Sequence, residues 1–405
     1  MKIAIIGGGA AGFFAAINIK KLAPSVEVTI YEAAAEVLAK VRVSGGGRCN
    51  LTNSFEEVDN LAKVYPRGEK IMRHALRVFD HEATYAWFED HGIELTTQSD
   101  CCVFPASQSS EEIINKFLQL SHELGVEIKC NHKIQKIEHS EDGVFTLTTN
   151  SQTICCDSVI VTSGGAPQMD KIDYLSSLPL SYITPVPSLF SFKIKDPITE
   201  LMGVVMEHAT VTLKGSKLKG SGALLITHWG VSGPAVLKLS SYAARRLSEA
   251  NYQGEILVNW TSAPNEGAVL SEINRIITYN SKKLVSSVAP FGITNRLWQH
   301  IMSRADISPE RRWVELGVKG INRIVSVLMA DEYHISGKST HTEEFVTCGG
   351  VDIKSINPTT MEARRCPGLY LAGEVLDVDA ITGGFNLQAA WSMAYVIARH
   401  ISTLA

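Results

Sequence analysis

Three glycines near the N-terminus have the spacing that holds a phosphate group. Gly7, Gly9 and Gly12 follow a short apolar run in the pattern G-x-G-x-x-G, and an apolar, helix-forming stretch comes next. This order predicts a strand, a tight turn that includes Ala10 and Ala11, and a helix over residues 13–22. The positive end of that helix can hold the charge of a pyrophosphate.

A carboxylate follows at the distance expected of a ribose ligand. The apolar run of residues 26–31 ends in Glu32, twenty residues after Gly12. A carboxylate there can accept the hydroxyls of an adenosine ribose. A secretory signal peptide is the alternative, since Lys2 precedes an apolar stretch, but three glycines interrupt that stretch. The pattern therefore favours a dinucleotide-binding unit.

Two more glycine clusters need a role. Residues 44–50 read S-G-G-G-R-C-N, and Gly383 and Gly384 precede an apolar helix. NAD alone would leave both without a partner, whereas FAD has a ribityl chain and a tricyclic ring that would use them. A third segment, the β-branched strand of residues 158–162, ends in Ser163 and Gly164, as a parallel strand does at a ligand. We therefore favour FAD as the cofactor.

Composition limits the other classes of function. The chain has 405 residues, a formal net charge of -4, 45% hydrophobic and 20% charged residues. These values are typical of a globular protein of two or three domains. The basic pairs at 245–246, 311–312 and 364–365 are scattered, so we expect solvated faces and no nucleic-acid partner. No apolar run could span a bilayer, and we expect a cytoplasmic protein without a membrane partner.

The eight cysteines predict neither a metal site nor disulfides. No C-x-x-C and no Cys/His cluster with zinc spacing occurs in the sequence. Cys101-Cys102 and Cys155-Cys156 are adjacent pairs, which is unfavourable for bridging. We expect reduced thiols and no metal.

The order of elements predicts an α/β fold with an insert. Apolar positions at the helical period predict helices over residues 69–78 and 81–91. Alternating apolar positions over residues 126–130, 133–139 and 144–149 predict an antiparallel meander. From about residue 188, strand-like and helical segments form an inserted unit. The chain then returns to a short strand at residues 368–374 and a C-terminal helix.

The motifs resemble those of the HI0933-like flavoprotein family, which includes bile-acid enone reductases and aminoacetone-oxidase-type enzymes. The resemblance rests on SGGGRCNLTN at 44–53, GLYLAGEVLDVDAITGGFNLQ at 368–388 and THWGVSGP at 227–234. It implies a two-dinucleotide-binding-type FAD domain, with a Rossmann-like parallel sheet and a meander, over residues 1–188 and 348–405. The insert, 189–347, would hold a β-barrel at about residues 189–260 and 331–347 and a helical part at about 261–330.

The resemblance also implies roles for particular residues. Gly7, Gly9, Gly12 and Glu32 would bind the ADP half, and Ile134 would pair with adenine. Arg48, Cys49, Asn50 and Thr52 would lie along the ribityl chain and ring, Glu374 would bind a ribityl hydroxyl, and Asn386 and Leu387 would direct backbone N–H groups at the isoalloxazine. The full predicted set is Gly7, Gly9, Ala10, Ala11, Gly12, Glu32, Ser44, Gly45, Gly46, Gly47, Arg48, Cys49, Asn50, Thr52, Ile134, Ser163, Gly164, Gly373, Glu374, Gly384, Asn386 and Leu387.

Two departures from the family pattern concern the substrate side. Cys101-Cys102 stand where the family has Gly-Arg, and residues 166–183 are shorter than the family's glycine-rich loop. Neither departure falls in the predicted FAD motifs.

The chemistry left open is that of the substrate. Ser232 lies in G-V-S-G-P, which differs from a hydrolase elbow, and His228 is a weak candidate for a proton donor. We expect an FAD-dependent oxidoreductase acting on a small molecule, a reductase to which NAD(P)H docks transiently. The alternatives are a flavin oxidase of a small amine and a non-catalytic or RNA-modification-associated flavoprotein. The sequence leaves the substrate, the electron donor and the oligomeric state open.

Overall fold

The protein is described by a computed structural model that covers residues 1–166, 168–339 and 346–405. It divides into two compact units. The discontinuous unit comprises Met1–Pro187 and His341–Ala405, and the inserted unit comprises Ser188–Thr340. The assignment of residues 1–188 and 348–405 to FAD binding stays a prediction.

The strands are, in chain order, β1 (Lys2–Ile6), β2 (Glu27–Tyr31), β3 (Thr52–Asn53), β4 (Leu95–Thr97), β5 (Cys102–Pro105), β6 (Glu127–Lys129), β7 (Lys136–His139), β8 (Phe145–Thr148), β9 (Thr153–Cys156), β10 (Ser158–Val161), β11 (Tyr182–Ser188), β12 (Phe192–Ile194), β13 (Val205–Leu213), β14 (Lys219–Thr227), β15 (Gly230–Ser232), β16 (Gly254–Asn259), β17 (Asp331–Lys338), β18 (Val346–Val351) and β19 (Leu369–Leu371).

The helices are α1 (Ala10–Leu22), α2 (Ala39–Gly47), α3 (Leu61–Val64), α4 (Glu69–Val78), α5 (His81–Asp90), α6 (Ser110–Glu123), α7 (Pro234–Tyr242), α8 (Ala244–Glu249), α9 (Glu266–Asn280), α10 (Asn295–Arg304), α11 (Gly317–Ala330) and α12 (Phe385–Ser402). Short 3-10 turns occur at Met169–Leu175, Pro197–Leu201, Val285–Ser287, Trp313–Glu315 and Ile353–Ser355. Of the helices in the described ranges, none combines the length and the apolar character needed to cross a bilayer.

A parallel sheet forms the centre of the discontinuous unit. Its strand order is β19-β10-β1-β2-β6, and all its pairings are parallel. All four residues of β10 are buried, as expected of a strand covered on both faces. Helices α1 and α12 meet through Phe14 and Trp391, whose ring centroids lie 5.2 Å apart.

One strand of the predicted meander belongs to this sheet instead. Residues 127–129 form β6, which pairs in parallel with β2, so the prediction that 126–130 starts the meander was wrong. The meander consists of β7, β8 and β9. A three-residue strand carries too little periodicity to distinguish a parallel edge from a hairpin, which explains the error.

The inserted unit contains a closed barrel with the strand order β12-β15-β14-β13-β16-β17. Every neighbouring pair in it is antiparallel. Helices α9, α10 and α11 belong to the same unit, and buried Trp298 and Trp313 stack with their ring centroids 6.2 Å apart. The predicted fold class, a Rossmann-type domain with an inserted barrel and helices, is confirmed.

Candidate cofactor site

The glycine fingerprint forms the turn between β1 and α1. Gly7 has a φ of +106°, and a Cβ there would lie 2.5 Å from the carbonyl oxygen of Thr162. A Cβ on Gly12 would lie 2.2 Å from the Gly7 carbonyl oxygen, whereas nothing lies within 4 Å of a Cβ on Gly9. Two of the glycines are therefore required by packing, and the third leaves the backbone open to a ligand.

The start of α1 has unpaired donors. The first bond of the helix runs from the N–H of Phe13 to the carbonyl of Gly9 (3.1 Å). The N–H groups of residues 10 to 12 precede it and have no intrahelical acceptor. Donors at the positive end of a helix suit an anion.

Glu32 lies beside this turn and is held in place by the backbone. Its Oε2 accepts the N–H of Gly8 (2.7 Å), and its Oε1 accepts the N–H of Ala34 (2.8 Å). Each carboxylate oxygen has a second lone pair. The side chain is only half-buried, so the geometry leaves both oxygens able to accept ligand hydroxyls.

The predicted adenine position lies on the segment that follows β6. The N–H of Asn131 donates to Ala34 (2.9 Å) and that of His132 to Glu32 (2.8 Å), in each case to the carbonyl oxygen. Ile134, two residues further, is 4% exposed. The backbone pairing thus keeps this segment next to the Glu32 turn.

The end of β10 contacts the fingerprint directly. The Thr162 hydroxyl donates to the Gly7 carbonyl (2.9 Å). Ser163 accepts a hydrogen bond from the Tyr174 hydroxyl (2.7 Å). Gly164 has a φ of +77°, with nothing within 4 Å of an added Cβ. Thr162 was not predicted as a site residue, because a β-branched residue at a strand end has no distinguishing signal.

Glu374 reaches the same region from the end of β19. Its Oε1 accepts the N–H of Thr347 (2.7 Å), and its Oε2 pairs with the ammonium of Lys40 (2.7 Å). A Cβ added at Gly373 would lie 3.4 Å from the Cβ of Ala11. Lys40, at the start of α2, was not predicted as a site residue, since a lone lysine carries no motif.

The other two glycine clusters meet each other. With its amide oxygen facing Gly384, Asn50 accepts that residue's N–H (3.2 Å) and donates to the Thr52 carbonyl (3.0 Å). The Asn53 side chain donates to the Gly383 carbonyl (3.1 Å). A Cβ on Gly384 would lie 2.2 Å from the Thr52 carbonyl oxygen. Only glycine permits this approach.

The loop that contains Ser44, Gly45, Gly46 and Gly47 turns sharply out of α2. Backbone φ values are +58° at Gly45, +70° at Gly46 and +84° at Gly47, and nothing lies within 4 Å of a Cβ on Gly46. The Ser44 hydroxyl donates to the carbonyl of Val41 (2.8 Å). The cluster thus forms the irregular end of a helix.

Arg48 and Cys49 follow this turn with different environments. The Arg48 guanidinium lies 4.2 Å from the ring centroid of Phe104 and donates through Nε to the Gly45 carbonyl (3.0 Å). Cys49 is fully buried, and burial raises the pKa of its thiol to about 12. Burial also raises the pKa of the Cys102 thiol to about 11. Cys102 is one of the two residues that stand where the family has Gly-Arg. Both thiols are protonated at neutral pH, so neither is a reactive thiolate.

The N-terminus of α12 provides a second set of donors. The first bond of the helix runs from the Gln388 N–H to the Gly384 carbonyl (3.0 Å), which leaves the N–H groups of Asn386 and Leu387 without an intrahelical acceptor. The Asn386 side chain accepts from the Ala380 N–H (2.9 Å) and so fixes the preceding loop. Gln388 also accepts the hydroxyl protons of Thr52 and Thr84 and was another missed residue.

A buried ion pair lies in the same C-terminal segment. Arg67 donates through Nε to Asp379 (2.6 Å), and the Asp379 side chain is fully buried. The two residues are 312 positions apart, so no local pattern could have predicted the pair.

His228, the weak catalytic candidate, is exposed in the turn between β14 and β15 of the inserted unit.

The residues present fit a dinucleotide. Open backbone at Gly9, Gly46 and Gly164, free donors at two helix starts, and a carboxylate held at the first turn are features of a Rossmann-type nucleotide-binding protein. The sequence model of the HI0933-like protein Rossmann domain matches residues 1–400, and the chain belongs to that family. The resemblance predicted from the motifs is thus confirmed.

Several relatives match nearly the full chain, and two of them differ in the reaction for which they are named. A ribosomal RNA dihydrouridine synthase of Haemophilus influenzae is 28% identical over 414 residues, which cover 98% of each chain. A 3-dehydro-bile acid delta(4,6)-reductase of Clostridium scindens is 26% identical over 415 residues, again 98% of each chain. The solved structure of a 3-ketosteroid delta1-dehydrogenase from Sterolibacterium denitrificans superposes with a TM-score of 0.50 at 11% identity, over 100% of this chain and 99% of that chain. This last likeness is one of fold.

Proposed function

We propose that this protein is an FAD-dependent oxidoreductase, and within that class a reductase that takes electrons from NAD(P)H and saturates a carbon–carbon double bond conjugated to a carbonyl. The observation that carries the proposal is the contact of residues 50–53 with Gly383 and Gly384. Asn53 and Gly383, which form one of its hydrogen bonds, are 330 positions apart in the sequence. A nucleotide bound by the fingerprint alone would not need this second glycine junction.

The division of the site into two ends favours FAD over NAD. The Gly7 turn and Glu32 suit an ADP moiety, and the segment with Ile134 suits its adenine. Glu374 can accept a ribityl hydroxyl, and the donors at the start of α12 can face an electron-rich carbonyl of a ring. When bound, FAD would supply hydride transfer through its isoalloxazine ring.

What the two relatives have in common supports the proposed type of reduction. Dihydrouridine differs from uridine by two hydrogens across a double bond conjugated to a ring carbonyl. The bile-acid relative is named for double bonds conjugated to a ketone. Reduction of such a bond adds a hydride to the β-carbon and a proton to the α-carbon. We propose the same bond type as the target here, with the steroid-like enone and the uracil ring as the two substrate classes.

The test is an anaerobic turnover experiment. Purified protein should be yellow and should release FAD, not FMN, on denaturation, because FMN has no adenosine for Glu32 to bind. NADPH or NADH should bleach the flavin, and a 3-oxo-Δ4 steroid or a uridine-containing RNA should restore its colour while gaining two hydrogens by mass spectrometry. Folded protein that shows no flavin spectrum with excess FAD would refute the proposal. Rapid reoxidation by oxygen without any enone reduction would favour an oxidase instead.

A further inference from the structure

The two units differ in net charge. Residues 188–340 contain 18 Lys and Arg against 12 Asp and Glu, a net charge of +6, although the whole chain is at -4. The charge of the whole chain, from which we expected no nucleic-acid partner, therefore conceals a cationic inserted unit. A unit of this sign can attract a polyanion even when the complete protein is acidic.

Within the inserted unit, four basic residues lie on two paired segments. The N–H of Trp313 donates to the carbonyl of Lys283 (3.1 Å), and Leu284 pairs with Arg312 in an antiparallel bridge. This pairing places Lys282 and Lys283 on the segment next to Arg311 and Arg312. Among the residues that the structure describes, ion pairs such as Lys2–Glu27 and Arg304–Asp331 form elsewhere. None of these described ion pairs includes Lys282, Lys283, Arg311 or Arg312.

Exposed apolar side chains accompany these cations. Tyr279, next to the end of α9, is 78% exposed, and Val314, on the second segment, is 61% exposed. We call Tyr279, Lys282, Lys283, Arg311, Arg312 and Val314 the basic-aromatic surface. Two carboxylates lie near it in sequence, those of Glu310 and Glu315, and one of them already accepts the backbone N–H of Arg312 (2.9 Å).

We propose that the basic-aromatic surface binds single-stranded RNA, with phosphates on the lysines and arginines and a base stacked on Tyr279. Single-strand binding has two components: cationic side chains along the phosphate backbone of the nucleic acid, and an exposed aromatic ring on which a base can stack. A membrane is less well matched, because an interfacial anchor needs a helix with a continuous apolar face, whereas this surface comes from two short paired segments and a helix end. The inference deepens the proposed function, on which it rests for the uracil ring as the reducible group.

The test compares two charge reversals of equal size. Lys282→Glu/Lys283→Glu alters the surface, and Arg364→Glu/Arg365→Glu alters an exposed basic pair of the discontinuous unit by the same net charge. The probe is a fluorescein-labelled oligouridine, titrated in fluorescence anisotropy over a series of salt concentrations. Flavin content and thermal unfolding show whether each variant is folded.

The surface variant should bind the RNA at least about tenfold more weakly, and its slope of log affinity against log salt should fall by about 1.4, while the control follows the wild type. Tyr279→Ala should lose about tenfold in affinity with an unchanged slope, since stacking releases no counterions. RNA affinity that is absent in the wild type, or equal in both charge variants, overturns the proposal. The proposal is also overturned if the wild type binds phosphatidylserine vesicles but no RNA, and if the surface variant loses this vesicle binding.

Failure of this inference is distinguishable from failure of the proposed function. Protein that reduces a steroid enone but does not bind the oligouridine retains the proposed function and loses the surface. Protein that binds the oligouridine through this surface but never accepts electrons from NAD(P)H retains the surface and loses the proposed function.

Discussion

Replacement of Glu32 by glutamine tests the assignment of the ribose end of the site. The carboxylate accepts backbone N–H groups at 2.7 and 2.8 Å from Gly8 and Ala34 and retains lone pairs for two ribose hydroxyls. Glutamine preserves the length of the side chain but removes its charge and turns one acceptor into a donor. The substitution should therefore weaken FAD binding more than it weakens the fold.

The size of the effect follows from the loss of one charge-assisted hydrogen bond. Such bonds contribute about 1.5–3 kcal/mol, which corresponds to an FAD dissociation constant raised about 10- to 150-fold. The assay is a titration of apo-protein with FAD, followed by flavin fluorescence. Glu36→Gln is the matched control, because Glu36 is exposed in the same loop and forms no ion pair in the described ranges. Equal FAD affinity in the two folded variants would refute the role of Glu32.

Three further predictions use other parts of the structure. Gly384→Ala should abolish FAD retention, because the added Cβ would lie 2.2 Å from a backbone carbonyl oxygen; Gly143→Ala, with open space around a φ of +81°, should cost only about 1–2 kcal/mol of strain and keep its flavin absorbance. Burial lowers the pKa of His300, so the folded chain binds that proton less readily than the unfolded chain. His300 should therefore lower the free energy of unfolding only below about pH 6.5. Urea titrations of His300→Gln should show a smaller fall below that pH than those of the wild type, and an equal fall would contradict the assignment. Burial raises the pKa of the Cys49 thiol to about 12. Iodoacetamide at about pH 8 should therefore modify exposed Cys155 and leave Cys49 intact in peptide maps. Alkylation of Cys49 in folded protein would contradict its burial.

The parts of the fold that could be predicted are those with local causes. The turn at Gly7 and Gly12 follows from close backbone contacts that only glycine allows, and such positions are visible in the sequence as a fixed spacing. The buried strand of residues 158–162 was visible because a strand covered on both faces reads as a continuous apolar run. Helix α4 was predicted with the bounds Glu69–Val78, because its apolar positions repeat at the helical period.

The parts that could not be predicted depend on contacts between distant residues. Lys40 pairs with Glu374, and Arg67 pairs with Asp379, across more than three hundred positions in each case. Charged residues alone in a sequence give no sign of their partners. The same limit applied to charge, because the division between an acidic unit and a basic unit appears only when the unit boundaries are known.

The Asn50–Gly384 contact joins segments from the two ends of the chain, and this has a thermodynamic consequence. The first segment follows α2, and the second begins α12, so the proposed ring end of the cofactor site exists only when the N-terminal and C-terminal parts of the discontinuous unit are folded together. A ligand that binds this junction binds the folded state alone, and it stabilises that state in proportion to the logarithm of its concentration over its dissociation constant. Binding of the proposed cofactor at Gly384 would thus be coupled to the closure of the discontinuous unit.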